Sequence, residues 1–146
     1  MKTAKTLPPM AAYPWQQEMF LRFSDTDAVG HVNNVAVFRY HDNAAMAFIG
    51  QMLGAPTLAG PGQRWALLRQ DVSLDAEILY PDPLTLCAAV ASMQSHWFSL
   101  SLAIFQNGAC AGRSTAVVAL LNTDHLALEM PATLGIRLQA FMANQT

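Results

Sequence analysis

The sequence has few charged residues and no cluster of one sign. Charged side chains make up 12% of its 146 residues, and the formal net charge is −2. Because the basic residues are scattered, no positive surface can follow a phosphate backbone, and nucleic acid is not expected as a partner. Hydrophobic residues make up 53% of the chain. So little charge cannot cover a monomer in the usual way, and we expect apolar surface to lie between the subunits of a homodimer or homotetramer.

Cysteine is scarce, and long apolar runs are missing. Cys87 and Cys110 are far apart and have no CxxC spacing, which indicates two buried thiols in a reducing compartment rather than a zinc site or a redox motif. No stretch reaches the ~18 apolar residues that a membrane span requires. The first residues lack the apolar core of a secretory signal, so a cytoplasmic protein is expected.

The spacing of the apolar residues predicts the secondary structure and the fold. Alternation predicts strands over 15–24, 64–78, 84–92, 96–106 and 109–121, with Asn107-Gly108 as a hairpin turn. Residues 35–53 are predicted as a long helix, and since its second half is apolar all round, we expect other structure to wrap it. These elements predict a single α+β domain, 1–146, with an antiparallel sheet of about five strands around one long central helix. Residues 1–14 are predicted as a flexible N-terminal arm and 132–146 as a short C-terminal helix.

The segment between the first strand and the helix is rich in Asp, Gly and Asn. Its sequence is Asp25-Thr26-Asp27-Ala28-Val29-Gly30-His31-Val32-Asn33-Asn34. Taken singly, these residue types build turns and cap helices. Preceded by Arg22-Phe23-Ser24, the string resembles the signature of the 4-hydroxybenzoyl-CoA thioesterase-like family, whose members have the hotdog fold. The predicted order of elements agrees with that family over residues 15–121.

This resemblance implies the hydrolysis of a thioester. The reaction needs a group that attacks the carbonyl or activates water, and a donor for the oxyanion. The sequence has no G-x-S-x-G elbow and neither cysteine lies in a comparable context, which leaves a carboxylate. By resemblance that carboxylate is Asp27, as nucleophile or as general base. Asn33 has N-cap chemistry, so the amide of Asn34 at the helix start is the predicted oxyanion donor, and His31 has a secondary, orienting role.

Candidates for substrate binding form two groups: Gly30, Val32 and Asn33 in the string, and Phe38, Trp97 and Phe98 outside it. Gly30 either takes a positive φ or allows close approach of the substrate. The aromatic residues can meet an acyl or aryl group near the helix start, although core packing explains them equally well. The expected partner is an acyl thioester of coenzyme A or of an acyl carrier protein.

Other interpretations compete with hydrolysis. A non-catalytic acyl-binding protein stays open because a fold does not determine a function. A hydratase-type hotdog enzyme is disfavoured because His31 follows Asp27 by four residues rather than five. No cofactor or metal is expected: a calcium loop fails at Val29 and Ala36, and a transition metal needs a third ligand.

The sequence departs from the family pattern in three places. Val37 stands where Tyr is frequent, and Ala45 where Arg is frequent. Residues 92–97 lack the basic cluster with which some relatives hold the phosphates of coenzyme A, so the identity of the acyl carrier stays open.

Asp42 is a reserve candidate for the catalytic acid. The remaining histidines are expected at the surface or capped: His41, His96 and His125.

Overall fold

The computed structural model describes residues 6–28, 30–53 and 59–143. Within these ranges the chain forms five strands and two α-helices: β1 (Trp15–Met19), α1 (Asn34–Leu53), β2 (Arg64–Leu74), β3 (Leu84–Met93), β4 (Phe98–Gln106), β5 (Ala109–Leu121) and α2 (Ala132–Gln139). The strands make one antiparallel sheet in the order β1-β3-β4-β5-β2. One face of this sheet packs on α1. The predicted α+β architecture is confirmed, while the single domain over 1–146 stays a prediction.

α1 packs on the sheet through small and apolar residues. Ala44 and Phe48 are fully buried, and the Phe48 ring makes edge-to-face contacts with Trp15 and with Phe141. Three apolar residues on the other side of the helix stay exposed: Val35, Phe38 and Met46. Among the described residues, the sheet and α2 thus cover the side of the helix that carries Ala44 and Phe48, and the opposite side is exposed.

β2 is shorter and less regular than predicted. It ends at Leu74, and its register with β5 shifts at Leu68, which is an extra residue in the strand. A bulge changes which face the residues before it occupy. Ala66 and Val72, which unbroken alternation would place on one face of the strand, therefore lie on opposite faces.

Tight turns shorten two other strands. β1 ends at Met19 rather than Ser24, and a 3-10 turn follows at Phe23–Asp25. β4 begins at Phe98 because a hydrogen bond from the Gln94 amide to the Trp97 carbonyl, 2.8 Å long, closes the preceding turn. The next turn agrees with the prediction: Asn107 and Gly108 both have positive φ, 52° and 79°, and β5 spans the predicted residues.

The face of the sheet opposite α1 carries the N-terminal segment. Tyr13 is buried there, edge-to-face with Phe105, and Leu7 packs beside it. Residues 7–13 thus lie against the sheet, although 1–14 are predicted as a flexible arm; residues 1–5 lie outside the described ranges. Cys87 and Cys110 are buried free thiols on this face, and burial raises the pKa of Cys87 to about 12.

α2 closes the far end of α1. Leu134 and Leu138 of α2 are buried, and the Arg137 guanidinium donates to the carbonyl of Met52 at 2.6 Å. The helix ends at Gln139, earlier than the predicted 132–146, of which 144–146 lie outside the described residues. Neither helix that the structure describes is long and apolar enough to cross a membrane.

Candidate active site

The loop between β1 and α1 is tied down at its base. The Asp25 carbonyl accepts hydrogen bonds from the backbone amide of Asn33, at 2.9 Å, and from its side-chain amide, at 3.1 Å. The Val32 amide donates to the carbonyl of Ile78 at 3.0 Å, and His31 forms a bridge with Leu79. These bonds fix the loop against the chain that follows β2.

The side chain of Asp25 serves this base. Its Oδ2 atom accepts a hydrogen bond from the hydroxyl of Tyr40, at 2.7 Å, and one from the Arg22 amide, at 3.3 Å. Tyr40 is buried, and burial together with the Asp25 carboxylate raises the pKa of its hydroxyl well above the usual value. The hydroxyl therefore stays protonated and stays a donor to Asp25.

Asp27 lies at the exposed tip of the loop. Its amide donates to the carbonyl of His31 at 2.8 Å, and its Oδ1 atom accepts from the His31 amide at 3.2 Å. The Gly30 amide donates to the Asp27 carbonyl at 3.2 Å, and Gly30 has φ +84°, a value that an L-residue rarely adopts. Of the two roles expected for Gly30, the positive φ is present, and the Asp27 carboxylate at this tip is exposed.

The first turn of α1 leaves amides available beside this tip. Asn33 Oδ1 accepts the amide of Ala36 at 2.8 Å, so Asn33 has the predicted N-cap geometry. The Val37 amide donates to the Asn33 carbonyl. Among the described residues, the Asn34 amide has no hydrogen-bond acceptor, as expected at the first position of a helix, where the helix dipole is positive.

A cavity of about 570 Å³ brings most of the candidate residues together. Five of them line it: Asp27, His31, Val32, Asn33 and Asn34. Its other walls are Val37 on α1 and residues 74–78, which begin with the last residue of β2. A carboxylate and a helix N-terminus therefore face one space large enough for a small ligand.

The aromatic candidates do not line this cavity. Phe98 is buried against the Trp65 ring, and Trp97 precedes it at the same end of the sheet. Phe98 pairs with Val118 of β5, whereas the end of β2 at Leu74 pairs with Gly112, six residues away along β5. At ~3.3 Å per residue, Phe98 lies roughly 20 Å along the sheet from the cavity. Phe38 is exposed on α1, outside the lining.

Two acids of the cavity wall are absent from the sequence-based candidates. Glu77 Oε1 lies 3.4 Å from His31 Nδ1, so the His31 ring meets Glu77, whereas its backbone holds Asp27. Asp75 forms a bidentate ion pair with Arg113 of β5, both bonds 2.8 Å long and largely buried, which raises the pKa of the Arg113 guanidinium. The sequence carries no signal for either contact, because both depend on pairing between distant segments.

His41 is the exception among the histidines predicted at the surface. It lies fully buried on the side of α1 that faces the sheet, and its Nδ1 atom lies 2.9 Å from the Ser114 hydroxyl. Burial lowers the pKa of His41 to about 4, with the Asp75 carboxylate acting in the opposite direction. His41 is therefore neutral at pH 7 and is part of the helix–sheet interface. Asp42, the reserve acid, is exposed and does not line the cavity.

The sequence profile described as "Thioesterase-like superfamily" matches residues 21–138, which include the loop, α1 and the whole sheet except β1. The chain belongs to this superfamily. Membership supports thioester hydrolysis as the general reaction of this chain. No protein of curated function matches the sequence.

Solved structures similar to this thioesterase-like protein agree on its fold. A Pseudomonas aeruginosa PAO1 protein is 20% identical, with a TM-score of 0.84 over 95% of this chain and 99% of that one. A gentisyl-coenzyme A thioesterase is 17% identical, with a TM-score of 0.75 over 85% and 99%. A thioesterase from Thermus thermophilus, solved with coenzyme A and zinc, is 21% identical, with a TM-score of 0.77 over 89% and 95%. The hotdog fold is confirmed. Across the described ranges, no three His, Cys, Asp or Glu side chains converge as a metal site would require.

Proposed function

We propose that this thioesterase hydrolyses an acyl thioester of coenzyme A or of an acyl carrier protein, with Asp27 as the reacting carboxylate. The observation that carries the proposal is the shared cavity of Asp27 and the first turn of α1. A thioester carbonyl that accepts a hydrogen bond from the Asn34 amide at this helix start would lie beside the Asp27 carboxylate. The hydrogen bond and the helix dipole both stabilise the charge that develops on oxygen.

The carboxylate can act in two ways that share this geometry. As a general base, Asp27 takes a proton from water while the water oxygen attacks the carbonyl carbon. The C–S bond then breaks, and the departing sulfur takes the proton from Asp27 and leaves as a thiol. As a nucleophile, Asp27 attacks the carbonyl carbon, expels the thiolate and forms an anhydride that water hydrolyses. Turnover in ¹⁸O-labelled water, followed by mass spectrometry, places label in the Asp27 peptide only by the second route.

His31 is proposed as the residue that places the substrate or the attacking water. Its ring lines the cavity, and Nδ1 is engaged by Glu77 Oε1 at 3.4 Å. Nε2 is then the ring atom available for a hydrogen bond within the cavity. Gly30 and Val32 act through the backbone, and Asn33 also through its side chain, by shaping the loop on which Asp27 stands.

A second copy of the chain is proposed to complete the protein. The apolar stripe of Val35, Phe38 and Met46 on α1 is exposed, and β2 is an edge strand with Leu68 and Leu74 exposed. Unpaired edges and apolar stripes are surfaces that proteins cover. A homodimer or homotetramer that buries them places Phe38, close to the cavity, at a subunit boundary. The cytoplasmic location stays a prediction.

Steady-state hydrolysis of acyl-CoA thioesters of varied chain length tests the proposal, with Asp27→Ala as control. Turnover by the native protein that is lost in the variant is the expected result. Saturable binding of the same thioesters without turnover would instead support a non-catalytic acyl-binding protein. The thioesterases solved with coenzyme A, or named for a coenzyme A substrate, support beginning with that carrier.

A further inference from the structure

A second cavity, of about 440 Å³, lies on the other side of the loop base. Its polar lining consists of Arg22, Asp25, Arg39, Tyr40, Asp42 and Asn43. The hydrogen bond between Tyr40 and Asp25 forms part of its wall, and Asp25 is two residues from Asp27. Arg39 follows Asn34 by five residues, about 7.5 Å along the helix axis and about 140° around it, so the second cavity lies near the helix start on a different face of α1.

Its two arginines differ from the other arginines that the structure describes. Each of the other four has a partner for its guanidinium: Arg64 with His125, Arg69 with Asp71, Arg113 with Asp75 and Arg137 with the Met52 carbonyl. Arg22 and Arg39 make no ion pair with a described residue, although both line the same concave surface. No lysine falls within the described ranges. Two cations that make no ion pair with a described residue thus share one cavity beside the reacting loop.

We propose that Arg22 and Arg39 bind the phosphate of the acyl carrier, the group that coenzyme A and a carrier protein's 4′-phosphopantetheine share. The inference rests on the proposed function and identifies the part of the substrate that this second cavity holds. A guanidinium donates two parallel hydrogen bonds to phosphate oxygens, and the Asn43 amide lines the same cavity as a further donor. Residues 92–97 contain no Arg or Lys, so that segment supplies no permanent cation for a phosphate.

The Asp42 carboxylate is expected to weaken phosphate binding. Its carboxylate lines the same cavity and repels a bound phosphate, whereas Asp25 is already engaged by Tyr40. Removing the Asp42 charge therefore strengthens phosphate binding, while removing either arginine weakens it. Opposite effects from neighbouring residues are not expected of a general disturbance of the fold.

The test compares three thioesters of one acyl group, on pantetheine, on 4′-phosphopantetheine and on coenzyme A. Arg22→Gln and Arg39→Gln should each raise KM roughly tenfold for the two substrates that carry phosphate, leave kcat within about twofold, and leave the pantetheine thioester unaffected. Arg69→Gln, which removes an exposed arginine elsewhere, is the matched control and should change none of these values. Asp42→Asn should lower KM for the phosphate substrates roughly two- to threefold.

The substrates also identify the phosphate. Equal effects on the phosphopantetheine and coenzyme A thioesters support the assignment to the shared pantetheine phosphate. An effect on the coenzyme A thioester alone would overturn it, because the arginines would then meet the nucleotide phosphates. Equal changes for all three thioesters, or none, would overturn the site while leaving hydrolysis intact. If the native protein hydrolyses no thioester, the proposed function fails, and calorimetric binding of free coenzyme A then decides the site. Binding weakened roughly tenfold in each arginine variant supports it, and equal or no binding overturns it.

Discussion

The loop from Asp25 to Asn34 has a base and a tip that are held differently. At the base, the Asp25 carboxylate accepts the hydroxyl of buried Tyr40 and its carbonyl accepts both amides of Asn33. At the tip, the Asp27 amide donates to the His31 carbonyl and the His31 amide donates to Asp27 Oδ1, and the Asp27 carboxylate lines the cavity. Two acids separated by a single residue therefore have different tasks: one holds the loop, and the other is available for chemistry.

The largest effect is expected at the tip. Asp27→Asn keeps the shape of the side chain but removes the charge that attacks the carbonyl or accepts a proton, so kcat should fall at least ~100-fold. The exposed position predicts little change in the melting temperature. Steady-state kinetics and thermal unfolding of the same preparation check both expectations, and a stable variant with near-native kcat contradicts the assignment.

A nearly equal loss of kcat is expected for a change at Asn34, where the base of the loop meets α1. Asn34→Pro removes the amide proposed to bind the thioester oxygen, while the fixed φ of proline is tolerated at the first helical position. kcat should fall roughly 10²-fold with the oligomer intact, as for the loss of one oxyanion donor. Asn34→Ala keeps the amide and should lose far less. A folded Asn34→Pro protein with normal turnover would place the oxyanion donor elsewhere.

A smaller effect is expected at the wall facing the tip. Glu77→Gln weakens the contact with His31 Nδ1, so the ring is less firmly placed and kcat should fall roughly tenfold. The ring signals of His31 in ¹⁵N NMR, assigned with His31→Gln, should show a changed ratio of the two tautomers. Unchanged His31 signals together with unchanged kcat would show that Glu77 does not position the ring.

The same base and tip show what a sequence can and cannot predict. Local chemistry was sufficient for the Gly30 conformation, the Asn33 cap and the Asn107-Gly108 hairpin, since each depends on a few adjacent residues. The contact of His31 with Glu77 depends on how the loop pairs with the chain after β2, and a bulge at Leu68 precedes that segment. Long-range register has no local signal, so Glu77 and the placement of Phe98 could not be predicted.

The smallest effect on catalysis is expected for Asp25→Asn, and it separates the two acids. Asp25 does not line the reaction cavity, so kcat should stay within about threefold of the native value, while the free energy of unfolding should fall by ~1–2 kcal/mol because a charged acceptor is lost. Tyr40→Phe removes the same hydrogen bond by deleting the hydroxyl that donates it.

If the two groups act through that bond, the double variant should be less destabilised than the sum of the single changes, by ~1 kcal/mol in urea unfolding at one protein concentration. Additive losses would mean that Asp25 and Tyr40 stabilise the loop separately. A ~100-fold loss of kcat in a stable Asp25→Asn protein would exchange the tasks of the two acids, because the charge needed for hydrolysis would then lie at the base of the loop.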